Sequence, residues 1–132
     1  MNHIELFAGC GGLNLGLKSE GFKLTLANEL SPMASETFAF NFFDEDLNKE
    51  SKKTVWLSSN YSKDQMSKRL REDPRTYPES FENSDIDIND LDGKLVVGNI
   101  IQLNKFLEQN PQLIQSLQSA FGADGGLDLV SG

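Results

Sequence analysis

The apolar positions of this chain change period several times. Residues 3–8, HIELFA, form a short apolar run that ends in glycines, the mark of a buried strand. Residues 11–20 follow at helical spacing, with Leu13, Leu17 and the small Gly16 on one side and Gly21 where a helix would stop. In FKLTLANEL, Phe22, Leu24 and Leu26 alternate with Lys23 and Thr25, which predicts a second strand. Ser31 then reads as the cap of a helix with Pro32 in its first position and Glu36 early in it. That helix carries Met33, Thr37, Phe38 and Phe42 and is expected to end between Asn41 and Asp44. Strand, helix, strand, helix predicts parallel α/β architecture.

The pattern then lapses. Residues 44–93 are polar and charged, with runs such as DEDLNKESKK and ENSDIDINDLDG and no clear period. The run SKDQMSKRLRE is compatible with a short surface helix; the stretch as a whole reads as a long surface insertion, partly mobile. Order returns at GKLVVGNI, a third strand, and at IQLNKFLEQ, a helical segment. Asn110 and Pro111 restart a helix as cap and first position, and Leu113, Ile114, Leu117 and Phe121 mark one face of it. GADGG reads as a loop and LDLVSG as a fourth strand. Four parallel strands are expected near residues 3–7, 23–28, 94–98 and 127–131. Right-handed crossovers put the first in the centre, beside the second and fourth, with the third outside the second.

Composition narrows the field. At 132 residues the chain is long enough for one domain with a modest core. Its 20 acidic and 12 basic residues give a formal net charge of -8, a poor electrostatic footprint for gripping nucleic acid unaided. A single cysteine excludes an internal disulfide framework and points to a reducing, cytoplasmic setting. The N-terminus runs directly into a strand, so no signal peptide is expected. No apolar run approaches the roughly 20 residues of a membrane span, so no membrane partner is expected.

Chemistry concentrates in ELFAGCGGLNLG, residues 5–16. A strand, a glycine-rich turn and a helix make a cradle for an anion or a nucleotide: glycines let the backbone approach a ligand, and the helix N-terminus offers unpaired N–H groups. Glu29 ends the second strand about 20 residues on, where a carboxylate accepts hydrogen bonds from ribose hydroxyls. Both features also suit NAD, so they define a nucleoside site without naming its ligand. Cys10 lies inside the cradle with no second cysteine and no acid–base pair beside it, and reads as a packing or loop-geometry residue rather than a nucleophile. The only histidine, His3, starts the first strand and reads as structural or solvated. No residue grouping reads as a metal site.

ELFAGCGGLNLGLKSEGF closely resembles the opening motif of the DNA (cytosine-5) methyltransferases, Asp-Leu-Phe-x-Gly-x-Gly-Gly. ANELSPMASETFAFN is similar to the family's second motif, VVGNI to its third, and LDLVSG to the lead-in of its fourth, which continues through Gly-Pro-Pro-Cys-Gln. The four segments cover about 80 residues in the family's order; the first is highly specific, the others supportive. The resemblance implies a partial Rossmann-like methyltransferase fold with a parallel sheet, and S-adenosylmethionine as cofactor. It implies that the backbone of Phe7, Ala8, Gly9, Cys10, Gly11 and Gly12 cradles the methionine part, with the Phe7 ring against adenine. Glu29 would hold the ribose hydroxyls, Leu30 would flank adenine, and Asn99 with Ile100 would meet the base edge. The family's chemistry uses a cysteine thiolate that attacks carbon 6 of a flipped cytosine, making carbon 5 nucleophilic toward the cofactor methyl.

Several positions depart from the pattern. Glu5 stands where aspartate is usual, with a longer arm toward the methionine amino group. Leu30 replaces a frequent tryptophan, and Asn99 replaces aspartate but keeps an acceptor oxygen. The sequence stops before the family's Pro-Cys-Gln, so no catalytic residue is expected in it. It reads as the cofactor-binding front of an enzyme that engages DNA through a C-terminal portion, with a complementing C-terminal chain as a compatible partner. A natural cofactor-binding subunit or non-catalytic module acting with another chain is the alternative, and an unrelated nucleotide-binding domain the third reading.

Overall fold

A computed structural model describes residues 1–121 and 126–132. The loop expected at GADGG therefore lies, apart from Gly126, outside the described residues. In chain order the elements are β1 (Asn2–Leu6), α1 (Gly12–Ser19), β2 (Lys23–Glu29), α2 (Pro32–Phe43), β3 (Thr54–Trp56), α3 (Met66–Leu70), β4 (Lys94–Val97), α4 (Ile100–Gln109), α5 (Pro111–Ala120) and β5 (Leu129–Ser131). The five strands form one all-parallel sheet in the order β3-β4-β2-β1-β5. The four strands expected from the sequence are present in the expected order, and the architecture is the α/β fold anticipated. β3 is the addition.

Alternation along the strands sorts the core into two faces. On one side Leu26, Val55 and Val96 pack against Leu103 and Phe106 of α4 and Leu113 and Leu117 of α5. On the other, Ala27 and Leu95 meet Phe38 of α2, and Trp56 and Val97 meet Ala39. Helix ends follow the sequence signals in part. Ser31 Oγ accepts the Ala34 N–H at 3.3 Å and Pro32 opens α2. Asn99 caps α4 through Oδ1, which accepts the Ile101 N–H at 2.8 Å. Asn110, expected as the cap of α5, instead donates its side-chain amide back to the Phe106 carbonyl and so secures the end of α4.

Two expectations are corrected. In α1 the face with Leu13 and Leu17 is not the buried one: Leu13 and Leu15 are exposed, Leu17 is half-buried, and Asn14 is turned inward. The strand beneath presents buried polar groups, His3 and Glu5, and an amide suits them better than a leucine.

The stretch 44–93, expected to run over the surface, supplies seven of the nineteen buried apolar residues among those described: Leu47, Val55, Trp56, Leu57, Leu70, Ile86 and Leu91. Some of its charges are fasteners rather than a solvated face. Glu45 Oε1 accepts the backbone N–H groups of Lys52 and Lys53. Arg69, 1 % exposed, donates to Asp85 at 2.8 Å, to the Asn83 carbonyl and to the Tyr61 carbonyl, and lies over the Trp56 ring. Asp85 also accepts the Trp56 N–H.

Candidate functional site

The crevice outside the carboxyl ends of the strands is where open α/β sheets take ligands, at the point where strand order reverses. Here β2, β4 and β3 lie on one side of β1 and β5 lies on the other, so the reversal lies at β1. The loop after β1 begins with Phe7 at φ 53° and continues through Gly9 at 57° and Gly11 at 90°. It is pinned by the Ala8 N–H on the Asn28 carbonyl and by the Gly11 N–H on the Ala8 carbonyl, both at 3.0 Å.

Glu29 ties the edge together. One carboxylate oxygen accepts the Gly9 N–H at 2.7 Å and the other the Ser31 N–H at 2.8 Å, while its carbonyl accepts the Gly98 N–H at 2.9 Å. A carboxylate has about four acceptor positions, so two remain open. Asn28, 2 % exposed, donates to the carbonyls of Val96 and Gly98 and fixes the β4 end against the β2 end. The sequence reading passed over Asn28; the signal was a polar residue set between apolar Ala27 and charged Glu29 at a strand end.

The glycines of the loop divide by role. At Gly9 and Gly12 a Cβ would meet nothing within 4 Å, so the backbone borders open space. At Gly11 a Cβ would stand 2.1 Å from the Phe42 ring, so this glycine is required by α2 packing. Around the edge stand exposed apolar side chains: Phe7, Leu30 and Ile101. Ile100, the residue named from the sequence, packs its side chain against the core instead. With Asn99 as cap, the α4 spacing turns Ile100 and Leu103 inward and leaves Ile101 outside.

Two further residues differ from expectation. Glu5 does not reach the open edge. It is 2 % exposed on the inward face of β1, its Oε2 lies 3.8 Å from His3 Nε2, and that oxygen has no hydrogen-bond partner among the described residues. Burial pushes the Glu5 carboxyl above its usual pKa and the His3 imidazole below its own, so both are held toward their neutral forms. His3 is fully buried, the structural option of its two readings. Cys10 carries an exposed free thiol, so it is not a packing residue. Among the described residues no group of three or more His, Cys, Asp or Glu could hold a metal ion, and no helix is long and apolar enough to cross a membrane.

The architecture is thus a parallel α/β sheet with a glycine loop after β1 and an acidic residue closing β2. The C-5 cytosine-specific DNA methylase profile matches residues 1–66, half of the sequence, and the chain belongs to that family. That match runs through α2 and β3. Over 41 residues the chain is 51% identical to the type II methyltransferase M.DdeI of Desulfomicrobium norvegicum (strain DSM 1741 / NCIMB 8310), a stretch that covers 31% of this chain and 10% of that protein. No solved structure matches the chain significantly.

Proposed function

We propose that the carboxyl edge of β1, β2 and β4 binds S-adenosylmethionine, and that the chain is the cofactor-binding part of an enzyme that methylates carbon 5 of cytosine in DNA. The observation that carries this reading is the Glu29 carboxylate, hydrogen-bonded to Gly9 of the loop and still holding two acceptor positions toward the edge. The residues present fit such a ligand. Gly9 and Gly12 border open space, Phe7 and Leu30 offer apolar surface for a purine, and the carboxylate suits vicinal hydroxyls. S-adenosylmethionine, when bound, supplies the methyl group. Phe7, Ala8, Gly9, Cys10, Gly11 and Gly12 give the backbone bed, Glu29 orients the ribose, and Leu30 and Ile101 keep water from the base. Asn99 turns its Oδ1 to the α4 cap, which leaves one lone pair and the side-chain N–H groups for the base edge. Glu5, buried behind the loop, is not among the contacts.

The test is calorimetry with S-adenosylhomocysteine. Glu29→Ala should weaken binding by about 1.5–3 kcal/mol if two charge-assisted ribose contacts are lost. An unchanged affinity removes Glu29 from the site.

The same reading sets an expectation for activity. Attack on cytosine carbon 6 needs a thiolate facing the extruded base, and the single thiol here, Cys10, lies in the cofactor loop. Incubated with labelled cofactor and cytosine-containing DNA, these 132 residues alone should transfer no methyl. Transfer abolished by Cys10→Ser would overturn both this expectation and the reading of the loop as a cradle.

A further inference from the structure

The charge of the chain is not spread evenly. Residues 63–75 hold five of its twelve Lys and Arg but only three of its twenty acidic residues. All three-dimensional partners of those acids can be followed. Glu72, 8 % exposed, accepts from Ser59 Oγ and from the backbone and side-chain N–H groups of Asn60. Asp73 is held by Arg75 through its backbone and guanidinium, which keeps its pKa at about 2. Asp64 is exposed and lines a different cavity, beside Lys63. Arg69 is buried against Asp85.

Of the three cations left, Lys63 stands with Asp64 at that other cavity, and Lys68 and Arg71 lie apart from it. Neither makes an ion pair among the described residues, and both are exposed. They line one cleft of about 420 Å³ together with Tyr61, Ser67 and Thr76 and with Glu72 and Asp73, the two acids bonded to Ser59 and Asn60 and to Arg75, and the Lys68 ammonium stands 5.5 Å from the centre of the Tyr61 ring. Two cations, hydroxyls and an aromatic face, with the neighbouring carboxylates already committed, are the ingredients of phosphodiester recognition.

The cleft also has a defined place. The Leu57 N–H donates to the Val97 carbonyl, and the Leu57 side chain fills the space over Gly98. The segment that leads into the cleft therefore leaves the sheet at its carboxyl edge, beside Gly98 and on the same edge as the glycine loop.

We propose that Lys68 and Arg71 form a contact for the phosphate backbone of DNA, a local basic surface on an otherwise acidic chain. The choice of DNA rests on the reading of the chain as part of a cytosine methyltransferase; the cleft itself does not involve the cofactor residues. The experiment is fluorescence anisotropy of the chain with a labelled 20-base-pair duplex, over a range of low salt concentrations.

Lys68→Ala/Arg71→Ala should bind at least about fivefold more weakly, and the slope of log affinity against log salt should fall by about two. Lys18→Ala/Lys105→Ala removes the same net charge from α1 and α4 and should leave both quantities unchanged. Equal weakening by the two pairs, no effect of the first pair, no duplex binding by the wild-type chain, or equal binding to a glutamate-rich peptide would each overturn the proposal. Calorimetry of the Lys68/Arg71 variant with S-adenosylhomocysteine separates the two readings: cofactor affinity should match wild type whether or not DNA binding is lost, and absence of cofactor binding in wild type counts against the cradle alone.

Discussion

Gly9 and Gly11 share a positive φ, but a side chain would meet different surroundings at the two positions. Gly11→Ala combines a left-handed backbone with a clash into Phe42, and should lower stability by about 2–4 kcal/mol in urea unfolding. Gly9→Ala meets no atom and should cost only about 1 kcal/mol, yet its methyl group stands where the ligand is proposed to lie, so cofactor affinity should fall further than stability does. Cys10 offers a second check. As the single thiol, and an exposed one, its alkylation can be followed by mass, and S-adenosylhomocysteine should slow it; an unchanged rate counts against the cradle. The spacing from the loop to Glu29 was readable in the sequence because backbone chemistry imposes it. The choice between Ile100 and Ile101 was not, because it depends on which residue caps α4. The burial of Glu5 was hidden too, since a charged residue in a strand reads the same on either face.

At the scale of elements, the segment after α2 is where sequence reading and structure part. β3 has three residues, too few to show a period, and the charges around it looked solvated. Only the fold shows that Arg69, Asp85 and Glu72 are used internally. Breaking a buried ion pair leaves an unpaired charge, so Asp85→Ala should destabilise by about 3–5 kcal/mol by urea unfolding, far more than loss of an exposed pair such as Lys52–Glu50. Replacing residues 44–93 by a short linker should yield a protein without cooperative unfolding, because Leu95, Val96 and Val97 would lose the cover of Trp56 and Leu57. A cooperative transition in that variant would restore the view of the stretch as a surface insertion. α2, by contrast, was legible to within a residue, because Ser31 and Pro32 specify its start.

For the molecule as a whole, the buried His3–Glu5 pair sets a pH dependence. His3 has a folded pKa below its unfolded value, so the unfolded state takes up the proton and stability falls as pH drops below about 6.5. Glu5 has a raised folded pKa, so the unfolded state loses its proton first and stability falls as pH rises through and above about 4.3. Glu5→Gln should therefore raise the urea midpoint at pH 7 and leave it nearly unchanged at pH 4; an equal shift at both pH values would remove the titration from the account. The strand order carries a consequence of another kind. β1 lies between β2, which it meets at residue 23, and β5, which it meets at residue 129. During synthesis the first neighbour is available within seconds, while the other edge of β1 waits for a hundred more residues. In refolding the same difference in sequence separation makes β2 the easier partner to reach, so pulsed hydrogen exchange should find the amides shared by β1 and β2 protected early and those shared by β1 and β5 last. Throughout that interval the strand that bears the glycine loop keeps a bare edge, open to pairing with any other chain.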